Sequence, residues 1–551
     1  MDTFPSGVHP DEATLAYNAY SILETGKDEH GIFLPFIIQS FGDQKSPAYV
    51  YSLIPSISAF GLNNFALRLP AAVIGTLLVL SIFFLLKEFG FSNGVSYIGA
   101  LITAVSPWQI ILSRLFGYES NIGLLFFVLG LLFALVAYKK DSKLYYILFG
   151  IFFGLTWYGY VAFRLVTPVM LLGFVLIYMR RKKLLEINRI LLLVSFFFVV
   201  SPLILATFFG KANARFGQTS SIPNQGAVME INENRYYCNK SLPKLFCEVD
   251  FNKAFEYSQN YLSRYMYSYS PDYLFISGDK EALFFNVKGF GLFPILLLPF
   301  YLFGLGYLWN RITSKTLSKN EAFLIVGLLI SPLPAVLVDI PHKIRLSALF
   351  PFSLILIIYG VFQISNYLKK KNYKIIYFAG LISALFIFSI VFMVNFLVVH
   401  MNKYEALYGG YISELMTYLG GQDKKTEVYI SSINEAVEFY VYVNKVAPAL
   451  YQRNAIYEKP NDIGYSLPTD FENIHTTKSS IEQIYCKSKG NKNHVFYVTK
   501  EDFQEKLGKA TKIFTSNNGA FKLAFVYDMK YIHNKNIDCK VITESQHNAQ
   551  R

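Results

Sequence analysis

The chain has no C-x-x-C pair, no H-E-x-x-H and no Gly-rich loop set between a strand and a helix. Structural zinc, ATP and NAD therefore have no support in the sequence. Cysteine is scarce, with four in 551 residues, and charged residues make up only 16%, against 53% hydrophobic and 17% aromatic. That balance excludes an ordinary soluble domain and describes an integral membrane protein. The formal charge of +13 would raise nucleic-acid binding in a soluble chain. Here the basic residues have a simpler use, in orienting the spans, and no nucleic-acid partner is expected.

Windows of about twenty apolar residues predict spans near 65–87, 94–112, 120–138, 144–162, 164–179, 189–209, 289–309, 321–338, 346–366 and 374–397. Basic clusters fall on alternate loops: Lys139 and Lys140, Arg180 to Lys183, Arg311 and Lys315, and Lys369 to Lys371. The excess of lysine and arginine on cytoplasmic loops makes those loops internal. The segments 1–64, 113–119, 210–288, 339–345 and 398–551 then lie outside. All four cysteines, Cys238, Cys247, Cys486 and Cys539, fall in segments assigned to the outside, where disulfides persist. Pairing of Cys238 with Cys247 and of Cys486 with Cys539 is expected. Four cysteines allow three connectivities, and four free thiols remain the alternative.

An even number of spans with an external C-terminus requires an external N-terminus. No signal peptide or apolar helix precedes the first loop, so either a short tail crosses unaided or the natural protein has an initial helix that this chain lacks. The second is the expectation. Three regions result: a first extracytoplasmic loop at 1–64, a transmembrane bundle at 65–397 that includes the outer loop 210–288, and an extracytoplasmic α/β domain at 398–551.

Aromatic residues at span ends suit an interfacial belt. Within the outer loop, Phe255 to Tyr273 reads as an amphipathic surface helix followed by a Ser-Pro-Asp turn. From His400 onward the composition turns mixed. Strand-like runs at Val428–Ile430, Phe439–Val443, His494–Val498 and Lys522–Tyr527 alternate with helical patterns at Tyr404–Leu419 and Ser479–Tyr485.

In the first loop, Asp11 and Glu12 follow Pro10 and precede the helical pattern Ala13–Leu23. Proline at the first helical position and acids in the first turn are ordinary helix-start chemistry. The pair keeps unusual company, because cations recur at the outer mouths of the spans: Lys45, Arg68, Arg114, Arg164, and His342, Lys343 and Arg345. Each alone suits a side chain reaching the headgroup level. Together they suit a phosphate, which arginine grips with two donors and lysine meets as a point charge. An acid opposite a phosphate-binding cluster is what inverting glycosyl transfer from a lipid-phosphate sugar requires. A carboxylate takes the acceptor's proton, and cations stabilise charge growing on the departing phosphate.

The motifs then carry a resemblance. His9-Pro10-Asp11-Glu12, Gly42-Asp43-Gln44-Lys45-Ser46-Pro47 with Tyr49 and Tyr51, and Phe60-Gly61 leading to Phe65-Ala66-Leu67-Arg68-Leu69-Pro70 resemble the GT-C membrane glycosyltransferases. The likeness is greatest to protein O-mannosyltransferases and lipid A aminoarabinose transferases. Ser106-Pro107-Trp108, Ser113-Arg114 and Glu119 add to it, and it covers residues 1–400.

The resemblance implies an α-helical multi-pass membrane protein of the GT-C type. It also implies a polyprenyl- or dolichyl-phosphate sugar donor, transfer on the extracytoplasmic side of the cell membrane, and inversion. The acceptor would be a protein, a lipid or a glycan. By the same resemblance, Asp11 would be the catalytic acid-base and Glu12 its partner. Lys45 would contact the donor phosphate, with His342 and Arg345 approaching it from a late outer loop and Arg68 and Arg114 as further cations. Glu119 would be a second acidic position. Some members bind a divalent metal, and Asp11, Glu12 and Glu119 would then supply oxygens to Mg²⁺ or Mn²⁺.

Where aminoarabinose transferases carry an arginine after the acidic pair, this chain has Thr14, and the tail from 400 does not resemble the family's sugar-binding inserts. The competing reading is a transporter or flippase of lipid-linked saccharides. It predicts ionisable residues inside the spans, and the spans as drawn are nearly free of them.

Overall fold

The computed structural model describes residues 7–40, 43–115, 117–179, 186–209, 225–280, 286–337, 342–368, 370–460, 466–489, 491, 493–516, 519, 521–532 and 539. The basic run 180–183, Gly42, Lys369, residues 339–341 and the stretch 210–224 of the outer loop lie outside them. The chain forms two compact units. One comprises Met1–Lys45, Val50–Pro70 and Leu397–Arg551, and the other Ser46–Tyr49 and Ala71–Phe396. The first loop and the tail, far apart in sequence, thus share a unit.

In the second unit every predicted span contains helix. The bundle begins with α3 (Asn64–Phe89), whose first residues belong to the other unit. It continues through α4 (Asn93–Val105), α5 (Pro107–Arg114), α6 (Tyr118–Lys140), α7 (Lys143–Gly159), α8 (Phe163–Tyr178) and α9 (Ile187–Phe209). Beyond these come Leu298–Thr313, Lys319–Ile330, Leu349–Tyr367 and Lys371–Val394.

Among the described residues, seven helices are long and apolar enough to cross a membrane, or eight if the bent pair α4–α5 is one span. The sequence reading of ten differs in three places. The window 94–112 breaks by 52° at Ser106–Pro107. Proline lacks the N–H that would continue the helix and keeps the residue before it extended; Ser106 has φ −66° and ψ 127°. The windows 144–162 and 164–179 form helices of 17 and 16 residues, separated by an extended Tyr160.

The bundle core is aromatic rather than purely aliphatic. Phe127 stacks on Phe153 with centroids 5.5 Å apart, and Phe149 meets Phe174 edge-on at 4.9 Å. Rings in the helix middles therefore do core packing, in addition to any interfacial belt. Small residues let α6 and α7 approach: a Cβ on Gly159 would lie 2.5 Å from the Cα of Gly123.

The outer-loop helix Lys253–Tyr267 is capped by Asn252, whose side chain accepts from the Phe255 N–H, and none of its residues is buried. Cys238 is disulfide-bonded to Cys247.

The first unit is built around a seven-stranded sheet. Its strands are β3 (Glu427–Ile430), β4 (Ile456–Tyr457), β5 (Pro468–Phe471), β6 (Ile474–Thr476), β7 (Val495–Thr499), β8 (Lys512–Thr515) and β9 (Lys522–Asp528), in the order β4-β5-β6-β3-β7-β9-β8. The central β6-β3-β7 pairs are parallel and the flanking ones antiparallel. All five residues of β7 are buried, as a central strand covered on both faces requires. Cys486 is disulfide-bonded to Cys539 beside this sheet's core.

Phe439–Val443, expected as a strand from its β-branched and aromatic content, is instead part of the helix Ala436–Val443. Six of its eight residues are buried, so tertiary packing overrides local preference. That helix and Pro448–Asn454 hold α1 (Pro10–Thr25). The Tyr17 hydroxyl donates to the Val446 carbonyl at 3.1 Å, and Gln452 Nε2 donates to Ser21 Oγ at 3.1 Å and to the Asp28 carbonyl at 2.8 Å. A hairpin of β1 (Ile38–Ser40) and β2 (Asp43–Lys45) and the helix α2 (Pro47–Phe60) complete this region.

Candidate active site

The acidic motif is a helix start with an unusual cap. His9 is the N-cap of α1, and its Nδ1 accepts from the Asp11 N–H at 3.3 Å, while Glu12 Oε2 accepts from the His9 N–H at 3.0 Å. This reciprocal arrangement is a capping box with histidine in the place usually held by serine or threonine. Accepting through Nδ1 requires the neutral ring, and burial lowers the His9 pKa accordingly. At the other end, Gly26 closes α1 at φ +71°, a conformation glycine adopts without penalty.

The two acids have different environments. Glu12 is 1% exposed, and so is Arg68. Arg68 Nε donates to Glu12 Oε1 at 3.0 Å, Nη2 to Glu12 Oε2 at 3.0 Å and also Nη2 to the Gly7 carbonyl at 2.6 Å. Asp11 is about one-third exposed and carries Lys45 Nζ at 2.8 Å from its Oδ1. The hairpin sets that approach, because Lys45 pairs with the fully buried Ile38 at its open end.

Residues far along the chain support the motif from below. A Cβ on Gly7 would lie 2.2 Å from the Gly409 carbonyl carbon, so this contact admits only glycine. Tyr408, whose hydroxyl lies 2.8 Å from His400 Nε2, has its pKa raised by burial and by the charge of Glu12. Neither Tyr408 nor His400 was singled out from the sequence, whose one local signal is the Gly409-Gly410 doublet.

In the second unit the turn that begins at His342 carries the late cations. Lys343 is 2% exposed and sits above Asp279, itself 4% exposed. The Lys343 N–H donates to both carboxylate oxygens at 3.1 and 3.3 Å, and Lys343 Nζ and His342 Nε2 each lie 3.9 Å from Asp279 Oδ2. Trp108 Nε1 donates to the Lys343 carbonyl at 3.2 Å and Ser120 Oγ to the Ile344 carbonyl at 2.9 Å. Burial lowers the pKa of His342 to about 4 and that of Lys343 to about 8. Arg345 is half-buried in the same turn. Asp279 lies in a loop whose sequence gave no signal.

Glu119, in the first turn of α6, accepts the Ser46 N–H, and Tyr49 stacks on Tyr118 at 4.8 Å. Arg114 ends α5, its carbonyl taking the Tyr118 hydroxyl at 3.2 Å, and Arg164 Nε reaches the Trp157 carbonyl at 3.5 Å. Among the described residues, no group of three or more His, Cys, Asp or Glu side chains is placed to hold a metal ion. Glu12 has both oxygens on Arg68 and Glu119 is taken up by the Ser46 amide, so the Mg²⁺ or Mn²⁺ set drawn from Asp11, Glu12 and Glu119 does not fit.

Residues 44–205 match the family described as dolichyl-phosphate-mannose-protein mannosyltransferase. Among solved structures, ArnT from Cupriavidus metallidurans in the apo state superposes with a TM-score of 0.51 at 11% identity, covering 95% of this chain and 94% of that one. The same protein bound to undecaprenyl phosphate gives 0.51 at 11%, covering 94% of each. The apo Archaeoglobus fulgidus oligosaccharyltransferase gives 0.47 at 13%, over 91% of this chain and 67% of that one. Comparison with curated proteins gives no significant sequence match. The helical bundle with its sheet unit has the GT-C fold. The family match covers 44–205, and the likeness to ArnT extends over the whole chain as a shared fold.

Proposed function

We propose that the protein transfers a hexose, mannose-like, from a polyprenyl-phosphate sugar to an extracytoplasmic acceptor hydroxyl on a protein, lipid or glycan, with inversion. The observation that carries this reading is the division of labour in the acidic motif. Glu12 is locked to Arg68 inside the fold, whereas Asp11 is partly exposed and held by Lys45 at 2.8 Å. Asp11 is the base. As the acceptor oxygen attacks the anomeric carbon, its proton passes to the Asp11 carboxylate. The bond from that carbon to the phosphate oxygen breaks, and the phosphate leaves with the electron pair. Lys45 meets the charge on that phosphate; His342 and Arg345, in the second unit, are separately proposed to contact a lipid phosphate. Arg114 is a further cation of the donor path and Glu119 positions the Ser46 segment.

Two findings support the lipid-phosphate donor. The matched family is described as dolichyl-phosphate-mannose dependent, and ArnT, which shares the fold, has been seen bound to undecaprenyl phosphate. The external placement of the acidic motif and of the sheet unit belongs to this proposal and rests on the basic loops and the disulfides.

The test is label transfer from radiolabelled polyprenyl-phosphate mannose, with glucose and aminoarabinose donors in parallel, to total envelope acceptors. Wild type and a folded Asp11→Asn variant are compared. Transfer by wild type alone is expected. Transfer by neither protein from any donor, or equal transfer by both, overturns the proposal.

A further inference from the structure

The buried carboxylate of Asp279 has no place in the chemistry above, yet it is the hub of the cationic turn. The Lys343 N–H reaches both oxygens at 3.1 and 3.3 Å, and the Lys343 ammonium and the His342 ring each stand 3.9 Å away. A carboxylate at 4% exposure is costly unless paired and hydrogen-bonded, and a lysine at 2% exposure is costly for the same reason. Each compensates the other. The carbonyls of Lys343 and Ile344 are tied to Trp108 and Ser120, and Asp279 adds an anionic anchor to these neutral donors.

We infer that Asp279 is a positioning residue. It fixes the backbone of the 342–345 turn and stands against the Lys343 ammonium, so that the turn meets the phosphate of a lipid-borne ligand with its cations held in place. This rests on the reading of the turn as a donor-phosphate contact.

The pairing gives the inference a distinctive signature. His342 is neutral at physiological pH because burial lowers its pKa to about 4. Lys343, opposed by burial and supported by Asp279, keeps its charge until it loses its proton at about 8. Tyr273 also faces this cluster, and its buried hydroxyl is raised well above the usual phenol range, with Asp279 contributing. Lys280, next to Asp279 in sequence, is paired with Asp272 at 2.7 Å. Without the Asp279 charge, burial acts on Lys343 unopposed and its deprotonation moves to lower pH.

The experiment measures binding of undecaprenyl phosphate to the full-length protein in detergent from pH 5.5 to 9.5. Wild type loses affinity as pH rises through about 8. Asp279→Asn moves that step down by at least one pH unit, Asp279→Glu leaves it in place, and Asp279→Asn with Lys343→Met has no step. If Asp279→Asn fails to fold, Lys343→Arg in the native background gives the answer, because guanidinium does not titrate in this range and the step must vanish. A step at the same pH in Asp279→Asn, or one persisting in Lys343→Arg, overturns the inference. A His342→Ala, Arg345→Met variant that binds as wild type does instead overturns the donor-turn reading beneath it.

Discussion

Arg68 and Glu12 meet through two hydrogen bonds of 3.0 Å with each residue 1% exposed. A third bond ties Arg68 to the Gly7 carbonyl at 2.6 Å, which fixes the strand of chain entering α1 as well as its first turn. The arginine that the sequence offered as a phosphate ligand is thus committed to the acid beside the proposed base. The pair sets the direction in which Asp11 points.

Removing one member strands a charge. Arg68→Met is expected to destabilise the sheet-containing unit by about 3–5 kcal/mol, and Glu12→Gln with Arg68→Met to recover most of that loss. Thermal unfolding of the purified variants in detergent checks this. An Arg68→Met variant as stable as wild type would remove the pair from the account of the site.

In the proposed reaction Asp11 and Lys45 separate chemistry from binding. Asp11→Asn should lower kcat by about 10²–10⁴ while leaving the affinity for lipid phosphate within a factor of about three, as expected for loss of a general base. Lys45→Met should weaken donor binding by about tenfold, the scale of one charge-assisted contact. Steady-state transfer and equilibrium binding, run on both variants, distinguish the two effects.

Glu29 and Glu438 give the stability an alkaline side. Glu29 is 4% exposed and burial pushes its pKa up to about 8, while Glu438, 3% exposed with neither carboxylate oxygen hydrogen-bonded, is pushed up in the same sense. A raised carboxyl adds stability in full below its unfolded value of about 4.5 and loses it as pH rises toward the folded value. Glu29→Gln should therefore raise the Tm at pH 9, by the equivalent of about 2–4 kcal/mol, and change it little at pH 5. Tm measured across that range decides it.

The two disulfides differ in the chain they close. Cys486–Cys539 spans 53 residues and Cys238–Cys247 spans 9. Loop-closure entropy then gives about 4 kcal/mol for the first and about 3 kcal/mol for the second. Cys486→Ser with Cys539→Ser should lower the Tm of the sheet unit more than the corresponding Cys238, Cys247 change lowers that of its neighbourhood. Reduction of the wild type should show the same order.

What the sequence made legible was local or repetitive. The apolar windows locate the bundle because lipid imposes one simple rule on every span, and Pro10, Asp11 and Glu12 announce α1 because capping chemistry is confined to one turn. The partner of Glu12 lies fifty-six positions away, and Asp279 sixty-four from the lysine it anchors. No periodicity encodes such pairs. The helix Ala436–Val443 reads as a strand for a related reason: its aromatic and β-branched residues are there to be buried, and which element buries them is decided by the surface of α1. The short strands β4 to β6 and β8 escaped because two to four residues carry too little alternation to register.

The break between α4 and α5 also bears on how the protein is made. The Ser106 hydroxyl and the Trp108 amide both donate to the Leu292 carbonyl, at 2.7 and 3.0 Å. That acceptor lies 186 residues later in the chain for Ser106. At about 5–20 residues per second, the ribosome delivers it roughly 10–40 seconds afterward. Neither half-helix, of 13 and 8 residues, is long enough to lodge alone across the hydrocarbon layer. Until the later segment arrives, the bend lacks the carbonyl that takes both of these donors. The bend thus sets an order of assembly, in which the second half of the bundle completes the first.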